Sequence, residues 1–305
     1  MSTYEPGSGS SSPSAHARRR TTSITSAVTP PLNHTYNSST ILSCLPKDYQ
    51  SCFFEGIQKL RRTSQRVLNE VNETGNQYLV VYHLPQDIME QIDSREISLG
   101  VSFRFMFCTR DRLGIMKIIP SGEHDQSTEK LKDTMMIDLL AMGVNFHAMT
   151  WSVSTTYQGG YCGKQPDQQL IPTSQIPPRP LRVSPVSPTL VIETGVSESL
   201  AKLRWDAGWW LTNTNGGVKI ALVVSINRNL RKVQLEKWEM VGQTTRTRQS
   251  IAPQAVQTIY ITQNNAHGAP LVLGFADLMS RQPTAQERDV VIPAVDLIRC
   301  FDTVW

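Results

Sequence analysis

Between Pro188 and Ile226 the chain is apolar, then mixed at a helical repeat, then apolar again, and the remaining segments are arranged about this stretch. TLVIET (189–194) is an apolar run interrupted by one carboxylate, Glu193, and reads as a strand covered on both faces. Ser197 is a good N-cap for a helix whose apolar positions are Leu200, Leu203, Ala207, Trp210 and Leu211. Asn215-Gly216-Gly217 stops that helix, and VKIALVVSI (218–226) is β-branched as a central strand should be. Strand, helix and strand joined by short connections predict a right-handed crossover with parallel strands.

The pattern elsewhere fills in around this unit. An amphipathic helix is predicted from Lys47 to Val71, with Phe53, Ile57, Leu60, Val67 and Leu68 on its apolar side and NETGN as its break. QYLVVYHLP reads as a strand and DIMEQIDS as a short helix, and VSFRFMFC with LGIMKIIP as a strand pair turning at 109–112. Thr128, Leu131, Met135, Leu139 and Met142 form a stripe on a helix that Gly143 ends. NFHAMTWSVSTTY and GYCGKQPDQQLIP read as strands, followed by a proline-rich connector suited to an extended surface flap. RKVQLEKWEM alternates as a strand, 242–255 is polar and loop-like, and QTIYITQ, LVLGFADLMSR and VVIPAVDLIRCF close the chain. Residues 1–45 are Ser, Thr, Pro and Gly with little to bury, which predicts a disordered tail, its Arg18-Arg19-Arg20 solvated. The expected organisation is this tail, an N-terminal helical extension over 46–95, and one α/β domain over 96–305 with its core near 100–240.

Composition changes this picture little. Charged residues make up 18%, the formal net charge is +4, and the pI of 8.8 permits a polyanionic partner without requiring one. Five cysteines, none in a CxxC pair, argue against a disulfide framework or a paired-cysteine zinc site and for a reducing compartment. No apolar run reaches the length of a membrane span and no signal-peptide stretch opens the chain. An intracellular place, nucleus or cytoplasm, is expected, where the sequons at Asn33, Asn37 and Asn72 stay unmodified.

Three carboxylates stand where chemistry is expected. Glu123 opens the long helix, Asp167 follows Pro166 on a short strand, and Glu193 lies in the central strand. An ionised carboxylate in a core strand is costly unless it is paired or binds a metal. If the strands of Asp167 and Glu193 are neighbours, the two acids converge and make a site for a hard cation such as Mg²⁺. Simpler roles exist for each: a turn cap for Asp167, a structural ion pair for Glu193, and a favourable helix start for Glu123. Trp205, Trp209 and Trp210 read as packing rather than base-stacking groups. GVSES is not a nucleophile elbow, and Gly216-Gly217 lacks a P-loop pattern.

The KQPD element, PTLVIETG some 26 residues later, the SES-initiated helix and VKIALVVSI together resemble the PD-(D/E)XK, restriction-endonuclease-like superfamily, in particular an uncharacterised branch found in fungi. The resemblance covers roughly residues 100–240. It implies a mixed central sheet flanked by helices with an αβββαβ core, Mg²⁺ or Mn²⁺ as cofactor, and hydrolysis of phosphodiester bonds in nucleic acid, DNA rather than RNA. It makes Asp167 and Glu193 metal ligands and Glu123 the helix carboxylate that completes the set. The superfamily's lysine would stand two residues after Glu193, where this chain has Gly195. Lys202, on the first turn of the next helix, is the substitute, with an ion pair to Asp206 as its simpler role. Lys219 starts its strand at the other end of the sheet. If Lys202 does not serve, the alternative is a catalytically inactive nuclease-fold module that binds nucleic acid or protein.

Overall fold

A computed structural model describes residues 38–74, 76–119, 123–153, 155–176, 186–196, 200–245 and 248–305. The first half of the chain contains α1 (Ser38–Cys44), β1 (Gln50–Phe53), α2 (Ile57–Thr74), β2 (Tyr78–Tyr82), α3 (Gln86–Asp93), β3 (Phe103–Cys108) and β4 (Leu113–Ile118). Next come α4 (Glu123–Ala141), β5 (Met149–Ser152), β6 (Tyr157–Gly159), β7 (Cys162–Lys164), β8 (Gln168–Pro172), β9 (Leu190–Val196), α5 (Leu200–Asn213) and β10 (Ile220–Asn227). The chain closes with β11 (Lys232–Thr245), β12 (Arg248–Thr262), β13 (Asn265–His267), β14 (Leu271–Leu273), α6 (Phe275–Met279), β15 (Val290–Ile292) and α7 (Ala294–Cys300).

Two mixed sheets result, the first in the order β1-β2-β4-β3-β7-β6 and the second β13-β12-β11-β10-β9-β8-β5, beside a β14-β15 pair. Along the second sheet β5, β8 and β9 are antiparallel neighbours, while β9 and β10 are parallel and joined through α5. With α4 ahead of them, these elements follow the expected αβββαβ order.

The period-2 alternation of each strand decides which core it serves. Leu79, Val81, Phe105 and Phe107 face the cluster under α2 and α3. Their neighbours Tyr78, Val80 and Met106 face inward, into a core shared with α5 and with Val191 and Val223 of the second sheet. Leu190, Ile192, Leu222 and Val224 point the other way, onto Leu131, Met135 and Leu139 of α4 and the helices that follow. The helical stripe read from the sequence is therefore the buried side of α4.

Several expectations change. Residues 50–53 are a strand rather than the start of the helix, and Phe53 is 59% exposed. The β-branched pairing potential of 78–82 draws 50–53 into a parallel ladder, so 46–95 contributes two strands to the first sheet as well as helices. Ser38–Cys44, inside the expected tail, is helical with Ile41 buried, and Leu45 is buried after it; residues 1–37, Ser197 and most of the proline-rich connector lie outside the described residues. The polar stretch 242–255 is not a loop but part of a long hairpin, β11 paired with β12, because ladder hydrogen bonds need no apolar side chains. Cys108 and Cys162 form a disulfide across β3 and β7; a cysteine count and CxxC spacing are blind to cross-strand neighbours. No described helix is long and apolar enough to cross a membrane.

Between α6 and β15 an exposed clasp holds the chain. Arg281 meets Glu287 through both guanidinium ends, at 2.5 and 2.7 Å, and the Thr284 N–H donates to the same carboxylate at 2.7 Å. The Arg281 hydrogen bond, then that of Thr284, pulls the Glu287 carboxyl down to about 2. Its contribution to stability is thus present above the ordinary carboxylate range and lost as pH falls through about 2. NMR titration should find Glu287 ionised well below other glutamates, and Arg281→Ala should return it towards 4.5.

Candidate functional site

The antiparallel register of β8 on β9 pairs Gln168 with Ile192, so Asp167, one residue before β8, lies across the ladder from Glu193. On β9 the alternation sends Val191 and Glu193 towards α5, while Thr194 turns to α4, where its hydroxyl meets that of Thr128 at 2.8 Å. From α5, Lys202 and Asp206 (i, i+4) and Trp210 (a further turn on) face the same interior. The first sheet supplies the remaining charges. Between Lys164, the last residue of β7, and Gln168, the first of β8, the chain crosses from one sheet to the other, and Pro166 lies within that crossing. Lys164 is thereby delivered opposite Glu193, with Lys117 and Arg104 arriving from β4 and β3. Gly163 allows β7 to lie close: a Cβ there would come within 2.5 Å of Phe107 Cζ.

Each acid is held by a cation. Lys117 donates to Asp167 Oδ2 at 2.7 Å and to the Thr194 carbonyl at 2.5 Å; Asp167 Oδ2 also accepts the Thr194 N–H at 2.9 Å. Arg104 Nε stands 3.6 Å from the other oxygen, Oδ1, and its Nη2 donates to the Asp167 carbonyl at 3.3 Å. Lys164 Nζ and the Trp210 indole N–H both donate to Glu193 Oε1, each at 2.5 Å. Lys202 reaches both Asp206 oxygens at 2.6 Å, and Lys164 is 3.3 Å from one of them. Lys164 also lies over the Trp210 ring and Lys202 over that of Trp205. All six charged groups, Lys117, Lys164, Asp167, Glu193, Lys202 and Asp206, are at most 6% exposed.

Burial pulls the Lys164 ammonium down, but Asp206, Glu193 and Asp167 around it outweigh that and hold it above the ordinary lysine range. Burial pushes the Glu193 carboxyl up, with Asp206 and Asp167 adding to the push and Lys164 and Lys117 opposing it. Lys117, Lys164, Glu193, Lys202 and Asp206 line a partly open pocket of about 20 Å³, room for about one water. Three carboxylates offer the hard oxygen donors that Mg²⁺ or Mn²⁺ takes. Each, however, already has an ammonium against it, and among the described residues no three Asp, Glu, His or Cys side chains gather to hold an ion. As arranged, the residues do not fit a divalent cation.

Of the residues expected from sequence, Asp167, Glu193 and Lys202 enter one cluster, linked through Lys164 and Asp206. Lys202 and Asp206 do form their helix pair, but buried rather than exposed. Glu123 begins α4, its side chain outside the described residues; Glu129, further along that helix, is the acid that reaches β8, accepting from Gln168 Nε2 at 2.7 Å. Lys117, Lys164, Asp206 and Arg104 were missed as members. Lys117 carried a usable signal, since a lone cation in LGIMKIIP is as costly to bury as the lone acid in TLVIET. Glu236, wholly buried in β11, has its own set of partners: Arg204 at 2.6 Å, the Trp238 indole N–H at 2.8 Å and Gln234 at 2.6 Å.

No family model and no curated protein matches the chain. Among solved structures, a putative nuclease belonging to DUF820 from Anabaena variabilis is similar, at 12% identity and a TM-score of 0.38, over 65% of this chain and 90% of that one. That likeness is too loose to decide either fold or activity.

Proposed function

We propose that this chain is a nuclease-like module that binds nucleic acid without cutting it. The observation that carries the reading is the ammonium group held against each of the three buried carboxylates, Asp167, Glu193 and Asp206. Lys117 neutralises Asp167, Lys164 neutralises Glu193, and Lys202 neutralises Asp206, all of them buried. A divalent ion would have to displace ammonium groups whose removal leaves buried charge behind. DNA is the first ligand to test, with RNA beside it.

A second reading, Mg²⁺- or Mn²⁺-dependent hydrolysis of phosphodiesters, is supported by one specific feature: Asp167 stands across the ladder from Glu193 within the αβββαβ order. It requires Lys117 and Lys164 to leave the two carboxylates. Titration calorimetry with Mn²⁺ and Mg²⁺, together with incubation of labelled DNA and RNA, separates the readings. The expected result is no heat of binding and intact oligonucleotides. Metal-dependent cleavage that Glu193→Gln abolishes, in a protein that remains folded, would overturn the non-cleaving reading and establish the other.

A further inference from the structure

The ends of five strands meet along one rim of the first sheet. The registers place Phe53 beside Tyr82, Val81 beside Gly114, Leu113 beside Cys108, and Cys108 beside Cys162. From β1 to β7 this is four strand spacings, about 19 Å. The rim carries exposed aromatic groups at its two ends and basic groups between them. Phe53 is 59% exposed at one end, its ring 5.1 Å from that of His83. Arg112, in the β3–β4 turn, donates to the His83 carbonyl at 3.1 Å. Arg110, in the same turn, lies over the ring of Tyr161, which is 65% exposed at the other end.

Helix α2 begins four residues after Phe53 and packs on the Cys52 face of β1, opposite the Phe53 side chain. Lys59, Arg62 and Arg66 recur at i, i+3 and i+7, all exposed, and both Lys59 and Arg66 are close enough to pull on the Cys52 thiol, although burial pushes that thiol up. On these elements the exposed cations Lys59, Arg62, Arg66, Arg110 and Arg112 stand with the carboxylates Glu55, Glu70 and Asp111, and Glu70 accepts from the Gln50 amide at 2.7 Å. Glu55 is paired to Lys59 at 2.6 Å, and Asp111 accepts from the Ser38 hydroxyl. His83 and Arg112 hold left-handed backbone, φ 57° and 49°, as residues of the turns that end β2 and join β3 to β4.

We propose that this rim is the surface that grips single-stranded nucleic acid. Bases stack on Phe53 and Tyr161, and the phosphates between them lie against Arg110 and Arg112. Aromatic platforms interleaved with cations bind a strand with little sequence preference. The choice of nucleic acid as the polyanion rests on the reading above, whereas the location of the grip does not depend on the buried acids.

The test is fluorescence anisotropy of the full chain with a fluorescein-labelled 12-mer oligothymidylate at low salt. Phe53→Ala and Tyr161→Ala should each weaken binding about 5- to 150-fold, and Phe53→Trp should retain it. Arg110→Ala with Arg112→Ala should reduce the salt dependence as well as the affinity. Circular dichroism and the melting temperature should be unchanged in these exposed-site variants. Wild-type affinity in both aromatic variants would overturn the rim while leaving the nucleic-acid reading standing. No binding by the wild-type chain would overturn both. Displacement by polyglutamate as readily as by unlabelled oligonucleotide would overturn the rim as a nucleic-acid surface, leaving a general anion patch.

Discussion

Replacing Lys164 with Met should destabilise the protein by about 3–5 kcal/mol, because it strips the cation from Glu193 and thins the compensation around Asp206 while both remain buried. For a domain of this size that is a fall in melting temperature of roughly 10 °C. The same reasoning predicts a rescue: Lys164→Met combined with Glu193→Gln removes both charges, keeps an acceptor for the Trp210 N–H, and should recover much of the loss. The pH dependence has a definite sign. In the wild type, Lys164 titrates above the ordinary lysine range, so its contribution is present throughout neutral pH and is lost only as pH rises through that raised value. Without Lys164, Glu193 can relieve its burial only by taking up a proton. Its folded-state pKa is raised, so the penalty is smallest below the ordinary carboxylate pKa and grows as pH rises above it. Chemical denaturation at pH 5 and pH 8 should therefore show a larger defect at pH 8. An equal defect at both would mean that Glu193 is not the group left stranded.

Reduction of the Cys108–Cys162 disulfide is expected to have an effect of similar size. The bond closes a loop of 54 residues, and the chain-entropy estimate for such a loop is about 4 kcal/mol. Non-reducing peptide mapping should recover Cys108 and Cys162 on one linked fragment, with Cys44, Cys52 and Cys300 as thiols. A reductant should then lower the melting temperature of the wild type by roughly 10 °C and leave Cys108→Ser/Cys162→Ser unmoved. The location gives the bond a second consequence. It fastens β7 to β3 two residues from Lys164, and so helps to hold the ammonium against Glu193. If reductant leaves the wild-type transition in place, the sheet ladder and the packing around β7 hold without it.

Much of the architecture was legible because alternation and helical repeat are local properties. TLVIET, VKIALVVSI and the stripe from Thr128 to Met142 took the structures their periods call for, and the two strands pair in parallel across α5. What local pattern missed shared one cause. Gln50–Phe53 and the polar half of the β11–β12 hairpin became strands because a partner strand was there to accept their hydrogen bonds, and no residue within either segment announces its partner. The disulfide joins cysteines brought together by strand pairing, 54 positions apart.

The same division runs through the charged cluster. A lone acid within an apolar strand must be compensated, and that requirement is written in the sequence at Glu193; it is written equally at Lys117. By itself, then, the chain determined that charge would be buried, in which strands, and in what order those strands would follow one another. Apart from the Lys202–Asp206 pair, which helix spacing sets, which charges would meet was decided only by tertiary structure. The first sheet brings Lys117 and Lys164 onto the inner face of the second, and sequence distance carries no record of that approach. Electrostatic energy depends on separation and on exclusion of water, and both are set only when the two sheets close over the six side chains.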